Sequence, residues 1–185
     1  EKPMGINREE CDGILDVALR TGRRCEIDFE LRISPLAQRL KALIDGGGYG
    51  ELRHIEFIHH RGCWLAEGNG LWRVNPAKSG GLYFMEPIHE VDLFRYLGGE
   101  IDAVQSVAAP TVLPQYMFQD NCCSHFFFRS GALGTILTTH THSAATTDSA
   151  MWDRLGHDMN FYLTLTHGSI GVDAIHSRIL INRFE

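Results

Sequence analysis

Apolar positions follow two rhythms along the chain. Helical spacing dominates the first half, and alternation dominates the second. Ile14, Leu15, Ala18 and Leu19 share one helical face. Asn7 stands ahead of this run with Glu10 three residues on, a capping-box-like start, and Gly22 ends it. A second stripe comprises Leu36, Leu40, Leu43 and Ile44. It opens on Ser34 as cap with Pro35 at the first helical position, where a missing N–H costs nothing, and Gly46-Gly47-Gly48 closes it. A third helix is predicted over residues 87–97, stopped by Gly98-Gly99. Strands are predicted at 25–31, 52–60 and 103–108. Residues 122–129 and 132–142 flank a Ser130-Gly131 turn, a hairpin signal, and 160–166 and 170–181 flank His167-Gly168-Ser169. The pattern is α/β at first and β-rich later, without internal repeats.

Composition narrows the class. The 185 residues suit one domain or slightly more, and 44% hydrophobic with 22% charged residues excludes disorder. Lys and Arg total 17 against 23 Asp and Glu, a net charge of −6 with no basic run, which argues against a nucleic-acid partner. No apolar run approaches the roughly 20 residues of a membrane helix. Five cysteines, Cys11, Cys25, Cys63, Cys122 and Cys123, include no CxxC pair, and reduced thiols in a cytoplasmic protein are expected. The first residue is Glu1 rather than Met, and the last strand pattern runs almost to Glu185, leaving an uncovered edge. Further sequence is therefore expected at both ends.

Three segments carry chemistry. They are Glu1-Lys2-Pro3 ahead of the capped helix, residues 29–35 at a strand-to-helix junction, and the stretch from Trp72 through Gly80-Gly81 and Glu86-Pro87-Ile88-His89-Glu90-Val91-Asp92 to Gly98-Gly99. In this order they resemble the glucose–fructose oxidoreductase / inositol dehydrogenase family of nicotinamide-dependent oxidoreductases. The shared features are a Glu-Lys-Pro tripeptide, a Gly-Gly pair and a His followed three residues later by Asp. The resemblance covers residues 1–60 and 72–100. It implies an α/β (α+β) fold: closing elements of a Rossmann domain in residues 1–31, then an open, mainly antiparallel sheet with helices packed on one face in 32–185. The second part would bind substrate and join subunits into a homo-oligomer. The phosphate loop would lie upstream, because Gly46-Gly47-Gly48-Tyr49-Gly50 lacks the GxGxxG spacing and follows a helix.

The same resemblance assigns roles. Lys2 would stand beside the nicotinamide of NAD or NADP, with Glu1 next to it, and its ammonium would steady charge developing on a substrate oxygen. Pro3 would carry a cis bond, as in relatives. His89 would take the hydroxyl proton. A helix N-terminus disfavours imidazolium while Asp92 and Glu86 favour it, which leaves the balance open. Where many members have an acid four residues before this histidine, Met85 stands here, with Glu86 the nearest stand-in. Arg32, Trp72, Glu86 and Asp92 are the candidate substrate contacts.

The implied activity is oxidation of a sugar, polyol or related small hydroxyl or carbonyl compound. The alternative is a non-catalytic sheet domain for oligomerisation or ligand binding. A further option is zinc held by His140 and His142 with His157 or Asp158, but no ligand set is complete at a recognisable spacing and no resident metal is expected. His59 and His60 alternate to opposite strand faces.

Overall fold

A computed structural model describes residues 1–63, 70–141, 157–173 and 178–184. Helix α1, Arg8–Thr21, begins as its sequence dictates. The Asn7 side chain accepts from the Glu10 N–H, the Glu10 carboxylate accepts from the Ile6 N–H, and Gly22 closes the helix at φ 63°. Its apolar stripe is uncovered: Ile14, Leu15, Val17 and Leu19 are exposed and no residue of the helix is buried.

Residues 25–31 form no strand. An extended segment is stable only when a neighbour completes its hydrogen bonds. This one pairs with no strand among the described residues and runs into a 3-10 turn, Glu30–Ile33. Helix α2, Pro35–Asp45, follows, and the Ser34 hydroxyl accepts from the Ala37 N–H. Three four-residue helices, α3 (Gly70–Arg73), α4 (Pro76–Ser79) and α5 (Leu82–Met85), are too short for periodicity to reveal. They lead into α6, Ile88–Gly98.

The strands β1 (Leu52–Arg61), β2 (Ile101–Ala108), β3 (Asn121–Phe128), β4 (Leu133–Thr139), β5 (His157–Leu165), β6 (Gly168–Asp173) and β7 (Arg178–Arg183) form one sheet. Their order is β2-β3-β4-β1-β5-β6-β7. Only the β1–β4 pair is parallel. The single strand expected over 170–181 is an antiparallel pair, with Ile170 opposite Ile181. Ile170 and Val172 share a sheet face with Ile181 and Ile179, so the core-facing positions are even in β6 and odd in β7, and the alternation changes phase between the two strands.

One face of the sheet carries the core. Ile55, Phe57, Phe126, Phe128, Ile136, Phe161, Leu163 and Val172 lie beneath Ala37 and Leu40 of α2 and Leu93, Phe94 and Leu97 of α6. Phe94 is fully buried, and such burial contributes roughly 2–3 kcal/mol. Its ring meets Phe126 edge-on at 5.6 Å and Phe161 at 6.1 Å. Close approach to β4 depends on Gly134, where a β carbon would come within 2.8 Å of the Phe94 ring. The opposite face leaves Tyr162, Phe127, Val107 and Leu180 exposed.

An acid lies within this core. Glu90 of α6 is 6% exposed, and its Oε2 has no hydrogen-bond partner. Burial pushes its carboxyl up to about 8; Glu86 and Glu30 add to the rise, while its own backbone N–H and Lys2 oppose it.

Two predictions follow from this packing. Gly134→Ala forces Phe94 off its seat and destabilises the fold by about 1–3 kcal/mol, measured by urea unfolding. Between pH 4.5 and about 8, folded Glu90 keeps a proton that the unfolded chain has released, so stability falls as pH rises through that window and is flat above it. Glu90→Gln removes this slope and leaves the variant the more stable protein in alkali, by on the order of a few kcal/mol.

Candidate functional site

The two ends of the first hundred residues meet at the start of α6. The Lys2–Pro3 bond is cis, and the Lys2 ammonium donates to the Met85 carbonyl at 2.5 Å. That carbonyl closes the last turn of α5, four residues before His89. The Met85 side chain turns the other way, into a small apolar cluster with Val74 and Tyr116. Position 85 therefore serves the site through its backbone.

His89 stands in the first turn of α6, with its backbone N–H donating to the Glu86 carbonyl at 3.4 Å. Its Nδ1 is buried without a hydrogen bond, 3.4 Å from a carboxylate oxygen of Glu30. The Phe29 ring meets the imidazole edge-on, with centroids 6.3 Å apart. Burial is the main cause that depresses the imidazole below its ordinary value, and the Lys2 charge adds to it. Glu30, Glu86 and Asp92 push upward and are outweighed. The balance left open by the sequence thus resolves toward a neutral imidazole near pH 7, able to accept a proton, beside an ammonium.

The other candidate residues divide. Arg32 and Asp92 grip each other: the guanidinium donates twice to the carboxylate, at 2.6 and 2.7 Å, and lies 5.5 Å from the Tyr96 ring centre. Asp92 is buried and the Arg32 side chain is 41% exposed, so the pair presents its cationic side to solvent. Glu86 forms an ion pair with Arg61, which is itself buried at the end of β1. Glu1 is exposed. Trp72 is also exposed, with the Arg73 guanidinium 5.4 Å from its ring centre. A shallow cleft of about 420 Å³ opens beside these groups, lined by Phe29, Glu30, Arg32, Ile33 and Asp92 together with residues 25–28.

Phe29, Glu30 and Glu90 lie in segments that the sequence marks without giving them a role, and Arg61 lies outside those segments. Arg61 had a signal, since it continues the buried alternation of Ile55, Phe57 and His59 on β1. Within the 29–35 junction no spacing singles out Glu30. The zinc option is only partly visible. His140 is buried, with its Nδ1 3.0 Å from the Tyr116 hydroxyl, whereas His142 and the side chains of His157 and Asp158 lie outside the described residues. Among the described residues no cluster of three or more His, Cys, Asp or Glu could hold a metal ion. All five cysteines are free thiols, and none of the described helices is long and apolar enough to cross a membrane.

Comparison with known proteins agrees with this architecture. The chain is 27% identical over 98% of its length to scyllo-inositol 2-dehydrogenase (NAD(+)) of Bacillus subtilis (strain 168), and it covers 49% of that protein. Levoglucosan dehydrogenase in complex with NADH and levoglucosan superposes with a TM-score of 0.80 at 22% identity, over 97% of this chain and 48% of that one. An inositol dehydrogenase homologue from Azotobacter vinelandii, complexed with NADH and myo-inositol, gives 0.78 at 18% identity, over 98% of this chain and 46% of that one. The structural likenesses establish a common fold, and the chain spans about half the length of each of these relatives. Residues 37–171 match the profile described as the GFO/IDH/MocA C-terminal domain. Since that match takes in most of the sequence, the chain belongs to the GFO/IDH/MocA family and carries its C-terminal domain.

Proposed function

We propose that this chain is the substrate-binding part of an NAD-dependent oxidoreductase acting on a sugar, a polyol or a related small hydroxyl or carbonyl compound. The observation that carries the reading is the convergence of Lys2 and His89 at Met85, with the imidazole depressed by burial and by the lysine. Residues 1–31 are the closing elements of a nucleotide-binding domain and 32–185 the substrate and oligomerisation domain. The uncovered stripe of α1 supports that boundary, since such a face suits packing on a further domain. The exposed aromatic and aliphatic side chains on the open sheet face support self-association.

A nicotinamide cofactor fits the residues present. Lys2 has three donors and uses one on Met85, which leaves donors for a ribose hydroxyl and a reacting oxygen, with Glu1 alongside. When bound, the nicotinamide supplies the hydride acceptor. His89 accepts the proton of the substrate hydroxyl, and the Lys2 ammonium stabilises the charge that develops on that oxygen. Glu30, 3.4 Å from Nδ1, orients the ring and gives His89 the acidic neighbour that position 85 does not. Arg32, held by Asp92, offers its exposed side to substrate oxygens. Trp72 covers the ring, and Glu86 is fixed by Arg61 at the margin.

The test is turnover of the intact protein with NAD across a panel of polyols and sugars. His89→Ala is expected to lower kcat/KM by about 10²–10⁴; an unchanged value removes this residue from the reaction. Glu30→Gln withdraws a charge that favours imidazolium, so the acid limb of the pH–rate profile moves to lower pH. Lys2→Met withdraws one that opposes it, and the histidine titration followed by NMR moves to higher pH.

A further inference from the structure

The core face of the sheet is not fully filled. Between α2, α6 and strands β1, β5 and β6 lies a cavity of about 130 Å³, walled by Ala37, Leu40, Phe57, Leu93, Phe161 and Val172. Two polar side chains line it, Ser34 and Glu90. The Ser34 hydroxyl is already engaged: it donates to the Leu31 carbonyl at 2.7 Å and accepts from the Ala37 N–H. Glu90 is not, because its Oε2 is buried and has no hydrogen-bond partner. A carboxyl oxygen left unpaired in such a place costs about 1–3 kcal/mol, and the fold keeps it nonetheless.

Water is a poor occupant. A buried water needs two to four polar partners, and these walls offer only the Glu90 carboxyl and one remaining lone pair on Ser34, the lower limit. An apolar body is a good occupant, for a dry cavity of about 150 Å³ lined by aliphatic and aromatic side chains takes up benzene. The carboxyl at the cavity wall then recognises a single polar head. A charged head is disfavoured, since burial holds Glu90 in its neutral form near pH 7. Leu31 and the partly exposed Leu36 line the same cavity on the side facing solvent and form its mouth.

We propose that this cavity is a ligand site for a small neutral molecule with an apolar body, of the size of a six-membered ring, and one hydroxyl hydrogen-bonded to Glu90. The site is independent of the reaction proposed above, because none of Lys2, His89 or Arg32 lines it.

Calorimetric titration of the intact protein with phenol and with benzene tests it. Phenol is expected to bind about tenfold more tightly than benzene, the contribution of one hydrogen bond. Glu90→Leu keeps the volume and removes the carboxyl, and it should bind the two equally. Ala37→Phe fills the cavity and should bind neither. Crystals of the unsubstituted protein soaked in phenol should show the ring between Phe57 and Leu93 with its oxygen on Glu90, a readout that requires no variant to fold. Phenol binding that survives Ala37→Phe in a folded variant overturns the proposal. So does equal affinity for the two probes in the unsubstituted protein, or ordered water on Glu90 that phenol fails to displace.

Discussion

Helix α6 is seated on the sheet through Phe94, whose ring lies over Gly134 and against Phe126 and Phe161. A residue with any side chain at 134 would lift the helix, and the first turn of that helix is where His89 stands. Leu93 and Leu97 share the buried face with Phe94, so the roll of α6 is fixed as well as its height. The roll presents His89 to Glu30 and Phe29 and points Asp92 at Arg32. Packing in the core thereby sets the direction of every polar group at the margin.

Charge is arranged around that helix with little left loose. Asp92 is bound by Arg32 and Glu86 by Arg61, and both acids sit within reach of His89 without raising its proton affinity above the ordinary value. Burial and the Lys2 ammonium outweigh them. Glu90 follows the same logic more severely, because it has no cationic partner in contact and remains protonated instead. Two neighbouring positions on one helix, 89 and 90, are thus both neutral near pH 7, one as a base and the other as an acid.

Helices α1 and α2 were legible because each combines a cap with a stripe. Asn7 and Gly22, and Ser34 with Pro35, act where their types require. What a stripe faces was less legible, since the face of α1 carries the right period and buries nothing in this structure. Strands of the sheet were found wherever alternation was bounded by turn residues. The pattern failed at residues 25–31, where no partner strand exists among the described residues, and at 170–181, where the run is two strands whose alternation differs in phase. At the site, Lys2 and His89 came from the order of family motifs, and spacing alone would not have joined residues so far apart. Glu90 depends on depth of burial, which a linear pattern records poorly for a charged side chain, whereas Glu30 is exposed and is brought to His89 by the 3-10 turn rather than by any spacing.

The central strand has a cost in time. β1 precedes the other strands of its sheet in the sequence, yet its ladder partners are residues 133–139 on one side and 157–165 on the other. Neither partner is local, so closing either ladder requires a long loop to be drawn in, at an entropic expense that local hairpins avoid. The β3–β4 hairpin and helix α6 can assemble early, whereas β1 must wait for both. Ladders that join residues so far apart in sequence slow folding. During synthesis, the segment that ends in Arg61 leaves the ribosome well before either of its ladder partners does, which leaves its two edges open to premature association in the interval.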